Sequence, residues 1–408
     1  MATPPDEGAR PPPASAGEGA SRTPRICLFS ALYKPSMGGV ETYTENLARA
    51  LRELGAQVTI ATCNTHAMAP EERTGGVEVV RLPCTPLLGG RFPLVKHDAE
   101  SKRLWERLEQ EHFDYVIANT RFYTLTERAL AFAEQADVMP LLIEHGSAHL
   151  TMGSPLADPA VQAVEHALTR RDMRHPFRAY AVSKKASAWL SHFGIESAGE
   201  LPNSIDADDF LAQASERDFK RELGIPDDAL LVSFAGRLVP EKGAVELAQA
   251  VAAIAERPDA GERPVHAVIA GAGPKQGDIE RIGCAQVHLA GRLERQDLAA
   301  LLTQSDAMAL PSRSEGFATT LLEAAACTTP SIVTPVGGTD ELVSDERFGT
   351  IIPDMSANSV EVALREAARN PRRLIDQGKN VADRVRSEFS WKRTATRALV
   401  ACAEANGK

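Results

Sequence analysis

The sequence predicts an α/β chain made of two parallel-sheet domains that face one another across a cleft. Three observations lead there. Apolar, strand-like runs alternate with amphipathic helical patterns from residue 25 onward. The alternation stops once, over a polar, Asp-rich stretch at 202–222, and then restarts. The length, 408 residues, suits two to three domains. Alternating strands and helices imply a parallel sheet covered on both faces. Ligands of such sheets bind beyond the carboxyl ends of the strands, so two facing sheets make one interdomain cleft.

Residues 1–22 hold prolines, glycines, alanines and serines without an apolar core, which predicts a disordered tail and no signal peptide. Order is expected from Thr23. The first strand is 25–32 (R-I-C-L-F-S-A-L). A turn with Gly38 and Gly39 leads into a helix at 40–54, closed by Gly55. Strand 57–63 follows, then apolar runs at 77–82, 115–118, 141–143 and 179–182. Residues 23–201 form the first domain and 202–222 the linker. The second half opens with strand 229–236, helix 244–256 and strand 266–271. Strand 287–291, helix 296–303 and strands 306–310, 331–334 and 350–352 complete a domain over 223–390.

Composition narrows the function classes. The chain is 43% hydrophobic and 25% charged, ordinary for a globular protein with two cores. A net charge of -10 argues against a broad nucleic-acid-binding face. No run of about eighteen apolar residues is present, so no helix is expected to span a membrane. The six cysteines are scattered without a C-x-x-C pair, which favours reduced thiols in a reducing, cytoplasmic compartment and argues against zinc or a disulfide framework.

The most informative stretch is 311–323, P-S-R-S-E-G-F-A-T-T-L-L-E. It follows a strand-like run and opens a helix-like one (321–327). A helix N-terminus after a parallel strand offers amide N–H groups to an anion. Glu315, just before it, suits sugar hydroxyls, and Glu323 lies slightly more than two turns on, on a neighbouring face. Phosphate on amides and hydroxyls on carboxylates describe a nucleotide sugar.

S-E-G-F-x-x-x-L-L-E-A-A-A resembles the donor-site signature of the retaining glycosyltransferases of family 4 (glycosyl transferases group 1, GT-B fold). The resemblance implies two Rossmann-like domains, with the donor carried mainly by the second. It also implies that the last helix, 391–408, crosses back to the first domain. Donor-site residues carried over are Gly316, Phe317, Ala318, Thr319, Thr320 and Glu323. Many members have Gly where this chain has Ala318, and alanine disfavours positive φ.

Further motifs fit the same cleft. Gly38 and Gly39, in M-G-G-V-E-T, resemble the family's G-G-x-E loop near donor phosphate and acceptor. Glu41 suits the helix dipole and needs no further role. His145 ends the 141–143 strand in I-E-H-G-S, where the family has a histidine on the transferred sugar. Its neighbour Glu144 is expected to point the other way. Arg237 and Lys242, in G-R-L-V-P-E-K-G, can reach one diphosphate and resemble the family's diphosphate-binding segment. Gly271 and Gly273 lack the dinucleotide fingerprint, with Gln276 where a small residue belongs, and read as a turn lining the nucleotide pocket. Asp206-Ala207-Asp208 spells D-x-D away from any strand end, so helix capping is expected and no metal site. Arg170, Arg171, Arg174 and Arg178 form a charged run that reads as a solvated face or a contact with an anionic membrane or phosphorylated acceptor.

Together these predict a metal-independent, retaining transfer of a sugar from a UDP- or GDP-linked donor to a hydroxyl acceptor, in cell-surface polysaccharide or glycolipid synthesis. His145, Glu315, Arg237 and Lys242 would carry the chemistry, with no cofactor beyond the donor substrate. The expected location is cytoplasmic, with peripheral contact to the inner membrane face. Two other readings stand beside it: a GT-B nucleotide-sugar 2-epimerase, disfavoured by the absence of an obvious second acid–base set, and a catalytically silent GT-B partner subunit, disfavoured by the intact motifs.

Overall fold

The computed structural model describes residues 23–36, 38–149, 158–315 and 317–407. The expected tail at 1–22 and Gly316 lie outside the described residues.

The first sheet contains β1 (Arg25–Ser30), β2 (Gln57–Cys63), β3 (Glu71–Thr74) and β4 (Val77–Leu82). A small hairpin, β5 (Cys84–Leu87) and β6 (Phe92–Val95), stands apart. The sheet continues with β7 (Tyr115–Asn119), β8 (Leu141–Glu144), β9 (Arg178–Ala181) and β10 (Ser197–Glu200). The strand order is β10-β9-β8-β7-β1-β2-β4-β3, parallel except for β3. The second sheet contains β11 (Leu230–Ala235), β12 (Val265–Ala270), β13 (Val287–Gly291), β14 (Ala307–Leu310), β15 (Ser331–Val333) and β16 (Gly349–Ile351). Its order is β13-β12-β11-β14-β15-β16, all parallel.

Each sheet reverses its winding at its first strand. The chain runs outward from β1 through β2, then returns to β7 on the other side; β11 does the same between β12 and β14. A crevice opens at such a switch point, and the residues singled out in the sequence cluster at both.

The period-two pattern of β1 explains the layering. Ile26 and Leu28 enter one core with Tyr43, Leu47 and Leu51 of helix Gly39–Glu53. Cys27 and Phe29 enter another with Trp105, Leu125 and Phe132 of helices Ala99–Gln110 and Thr124–Gln135. Strands buried on both faces are continuously apolar, which is why they were legible.

Four strands lie outside the sequence reading. β3 reads E-E-R-T, with no apolar face; Glu72 pairs with Arg81 of β4 (2.7 Å) and Glu71 with Arg103 of helix Ala99–Gln110 (2.9 Å). β5 and β6 place Pro86 opposite Pro93, and proline argues against a strand unless it sits at an edge. β10, S-A-G-E, is too short and small to carry a pattern. The stretch 202–222 also holds helix Ala207–Ala212 and the start of helix Phe219–Leu223.

The last helix, Trp391–Ala405, packs on the first domain. Trp391, 2% exposed, meets Tyr43 edge-on with centroids 5.2 Å apart. Asn406 accepts from Met139 N–H (2.8 Å) and donates to Met139 O (3.1 Å). The two passages of the chain between the domains run side by side, and Ile205 N–H donates to Phe389 O at 2.9 Å. Among the described residues, no helix is long and apolar enough to cross a membrane.

Burying a tryptophan and then truncating it costs about 3–5 kcal/mol. Trp391→Ala is therefore expected to lower unfolding stability by about that amount, read from urea denaturation. A loss below about 1 kcal/mol would show that the crossing helix contributes little to the first domain.

Candidate active site at the interdomain cleft

The turns after β1, β8, β11 and β14 face one cavity of about 920 Å3. Gly38, Gly39 and His145 line it from the first domain; Arg237, Lys242, Glu315, Phe317, Ala318, Thr319 and Thr320 line it from the second. Most residues singled out in the sequence thus meet, although the two halves of the set lie far apart in the chain.

On the second domain, Lys242 and Glu315 are paired. The Lys242 ammonium donates to both carboxylate oxygens, at 2.5 and 2.7 Å. The Ser312 hydroxyl donates to Oε1 at 2.8 Å. The side chains are 20% and 7% exposed, so this is no surface pair diluted by water. Lys242 ends a single turn of 3-10 helix that opens at Pro240, and Gly243 continues at φ 76°. A Cβ there would stand 2.4 Å from Pro311 O, so glycine lets the turn after β11 close on the turn after β14. Arg313 N–H donates to Glu241 O (2.8 Å) and locks the two turns together. Arg237 is exposed, and among the described residues it has no ion-pair partner. Arg91, which lines the cavity from the first domain, likewise has no ion-pair partner among the described residues, so two cations there are free to meet an anion while Lys242 is already balanced.

Helix Thr319–Ala326 starts two residues earlier than the sequence pattern suggested. Its N-cap is Ala318, at φ -70° and ψ 114°. This backbone needs no glycine, which removes the concern over alanine at that position. Phe317 is buried against Phe389, centroids 5.5 Å apart, and a Cβ on Gly338 would intrude on its ring. Glu323 faces a neighbouring cavity that shares Thr42, Asn203 and Thr319 with the main one. Burial pushes its carboxyl above the ordinary value, against the opposing pull of Arg295.

The structure does not bring Gly271 and Gly273 to the cavity wall. Their Cβ atoms would strike Gly236 O and Leu238 O, and Leu238 N–H donates to Ala272 O at 3.0 Å. They let one strand-end turn lie flat on another, which supports the segment carrying Arg237. Asp206 does precede a helix, but its side chain makes no cap hydrogen bond and pairs with Arg49 instead. Asp208 pairs with Arg386 at 2.9 Å. Arg170, Arg171, Arg174 and Arg178 are all exposed, with Arg171 held by Glu127 at 3.0 Å.

On the first domain, His145 is set by a relay. The Thr44 hydroxyl donates to Val40 O (2.7 Å), and Asn119 Nδ2 donates to Thr44 Oγ1 (3.2 Å). Asn119 Oδ1 is left as the acceptor, 2.9 Å from His145 Nε2, so that nitrogen carries the proton. Tyr43 packs edge-on, 4.7 Å between centroids. Burial pushes the imidazole down to about 3, so it stays neutral.

Behind His145 lies a smaller cavity of about 290 Å3, sharing Gly39, Val40 and His145 with the cleft. Its wall contains charges that the sequence reading missed or ranked low. Arg121, 1% exposed, meets Glu144 Oε2 at 2.8 Å and Glu165 Oε1 at 2.7 Å. Glu144 does turn from the cleft, but it also accepts from Gly146 N–H at 2.7 Å and so shapes the loop after β8. Burial raises its carboxyl, opposed by Arg121 and that amide. Thr120 and Phe122 flank Arg121 at φ 68° and 67°, an unusual backbone for non-glycine residues that clusters at functional sites. The one available signal was a run of polar residues, Asn119 to Arg121, at a strand's carboxyl end. Ser147, on the same loop, donates to Glu315 O across the cleft at 2.8 Å.

Comparison with known proteins follows this geometry. Residues 215–384 match the family model described as glycosyl transferases group 1, and residues 37–209 the model of glycosyltransferase family 4. The chain is 27% identical to D-inositol 3-phosphate glycosyltransferase 2 of Catenulispora acidiphila, over 91% of this chain and 92% of that protein. Its fold is similar to sucrose-phosphate synthase from Thermosynechococcus elongatus, with TM-score 0.67, 22% identity and coverage of 93% and 98%. It is also similar to Anabaena HepE in complex with UDP-glucose, with TM-score 0.64, 18% identity and coverage of 92% and 99%. With one model matching each domain and both sheets wound as described, the chain belongs to the group 1, family 4 glycosyltransferases and has their GT-B fold.

Proposed function

We propose that the protein transfers a sugar, with retention of anomeric configuration, from a nucleoside-diphosphate sugar to a hydroxyl acceptor. The observation that carries this reading is the pairing of Lys242 with Glu315 beside the unpaired Arg237, at the switch point of the second sheet. UDP-glucose in the similar Anabaena structure supports a uridine diphosphate donor.

The chemistry follows from charge. Breaking the bond between anomeric carbon and phosphate oxygen leaves a diphosphate with one more negative charge. Arg237, Lys242 and the amides opening helix Thr319–Ala326 stabilise that charge where it forms, without a metal. As the phosphate draws on Lys242, the Glu315 carboxylate is released toward sugar hydroxyls. Glu323 takes the ribose from the adjoining cavity. Among the described residues lining the cleft, no side chain is set as a covalent nucleophile. The acceptor oxygen therefore attacks from the face the diphosphate leaves, and its proton passes to the departing phosphate oxygen. His145 stays neutral, with Nε2–H committed to Asn119, and orients the sugar.

The cavity behind His145, walled by Arg121, Glu144 and Glu165, serves as the acceptor subsite. The name of the relative from Catenulispora acidiphila supports a polyol phosphate acceptor. A role in cell-surface polysaccharide or glycolipid synthesis, in the cytoplasm at the inner membrane face, is consistent with the exposed arginines at the end of helix Asp158–Asp172.

Lys242→Gln and Glu315→Gln are each expected to lower kcat by about 10²–10³-fold, the effect of removing one preorganised electrostatic contact. Circular dichroism should show both variants folded, and wild-type-like turnover in either would sink the assignment. Turnover that requires added Mg2+ or Mn2+ would sink the metal-free route.

The state of His145 is tested separately. Its folded value of about 3 lies below the unfolded one, so the unfolded ring takes up a proton that the folded ring refuses. The stability tied to His145 is complete above about pH 6.5 and drains away as pH falls toward 3. Nitrogen-15 NMR should show a neutral ring protonated on Nε2 from pH 7.5 to 5. Titration near pH 6.5 would overturn the relay.

A further inference from the structure

Three imidazoles from three elements converge beside the small cavity. His149 lies on the same segment after β8 that carries His145 and Ser147. His166 lies on helix Asp158–Asp172, and His192 in the short turn Ser191–Phe193. One ring nitrogen of each lies within 4.8 Å of those of the other two. Nε2 of His166 and Nε2 of His192 are 3.3 Å apart. A tetrahedral metal with nitrogen ligands at about 2.0–2.1 Å has ligand–ligand edges of about 3.4 Å, so one edge is already formed.

The ligands have the support that metal-bound histidines need. Nδ1 of His149 lies 2.9 Å from Glu165 Oε2, and Arg121 holds the other oxygen of Glu165 at 2.7 Å. A carboxylate on one ring nitrogen fixes the tautomer and leaves the other nitrogen with its lone pair free for an ion. Trp189 stacks on His192 at 4.8 Å and 4°, and meets His149 edge-on at 4.8 Å. These contacts set ring orientation. His192 is exposed, so an ion can enter from solvent, while His149 and His166 are half-buried.

We propose that His149, His166 and His192 form a binding site for a divalent d-block cation, zinc foremost. Three imidazoles select such ions over Mg2+ or Ca2+, which prefer oxygen, and leave a fourth position for water. None of the three lines the donor cleft, so the ion takes no part at the phosphates. It staples the loop 145–149 to the wall behind it, and that loop donates from Ser147 to Glu315. The spacings 149, 166 and 192 form no motif, and the scattered cysteines exclude only a thiolate site.

The test uses the full chain without a histidine tag, stripped with chelator and dialysed. Zinc titration by calorimetry should give one ion per chain, unaffected by excess Mg2+. Cobalt should give the visible spectrum of a tetrahedral site, abolished by zinc. The double variant His166→Gln/His192→Gln should bind zinc at least about 100-fold more weakly, and Glu165→Gln about 10–100-fold more weakly. No stoichiometric zinc binding by the wild type, or an octahedral cobalt spectrum, overturns the proposal whether or not the variants fold. Equal affinity in a folded double variant overturns it too.

Discussion

Lys242 and Glu315 hold the turns after β11 and β14 at a fixed separation, with Ser312 bracing the carboxylate from behind. Removing one partner of a pair this buried typically costs about 3–5 kcal/mol, because the other charge is stranded. The pair therefore acts as an internal ligand: it keeps two groups of opposite charge in place in a ligand-free cleft. The surroundings are built around that distance. Gly243 admits Pro311, Arg313 bonds to Glu241, and Ser147 reaches Glu315 from the opposite domain. An anionic ligand entering such a site would exchange partners within a prepared frame and order little that is new, which would keep its entropic cost low.

The first domain solves a related problem differently. Arg121 is almost wholly buried and is shared between Glu144 and Glu165, with its guanidinium 3.7 Å from the centre of the Phe193 ring. Charges so placed are stable only when their partners are fixed. The left-handed backbone at Thr120 and Phe122 is the local cost of aiming Arg121 into that network. The same network sets the loop after β8 through Glu144 and Gly146, so the position of His145 is determined from beneath as well as through Asn119.

Much of this was legible in the sequence because both sheets are buried on two faces. Runs such as L-L-V-S-F-A leave no doubt about a strand, and strand-end turns then mark where ligands bind. Lys242 and Glu315 could be named from those turns together with the family resemblance of their motifs, yet their mutual pairing could not, because it depends on the strand order β11-β14. The polar edge strand β3 and the proline-bearing hairpin β5-β6 carry no apolar period to read. Gly271 and Gly273 were placed at the pocket because glycine after a strand suggests a ligand; here the close neighbour is another backbone segment. Asn119, Arg121, Glu144 and Glu165 belong to three elements, and only folding makes them a group.

The bond between Ile205 and Phe389 joins the two passages by which the chain moves between domains. A single connecting strand would leave the domains free to swivel as well as to open. Two passages tied side by side resist twisting of one domain on the other, which keeps the two walls of the cleft, with His145 on one and Glu315 on the other, in register.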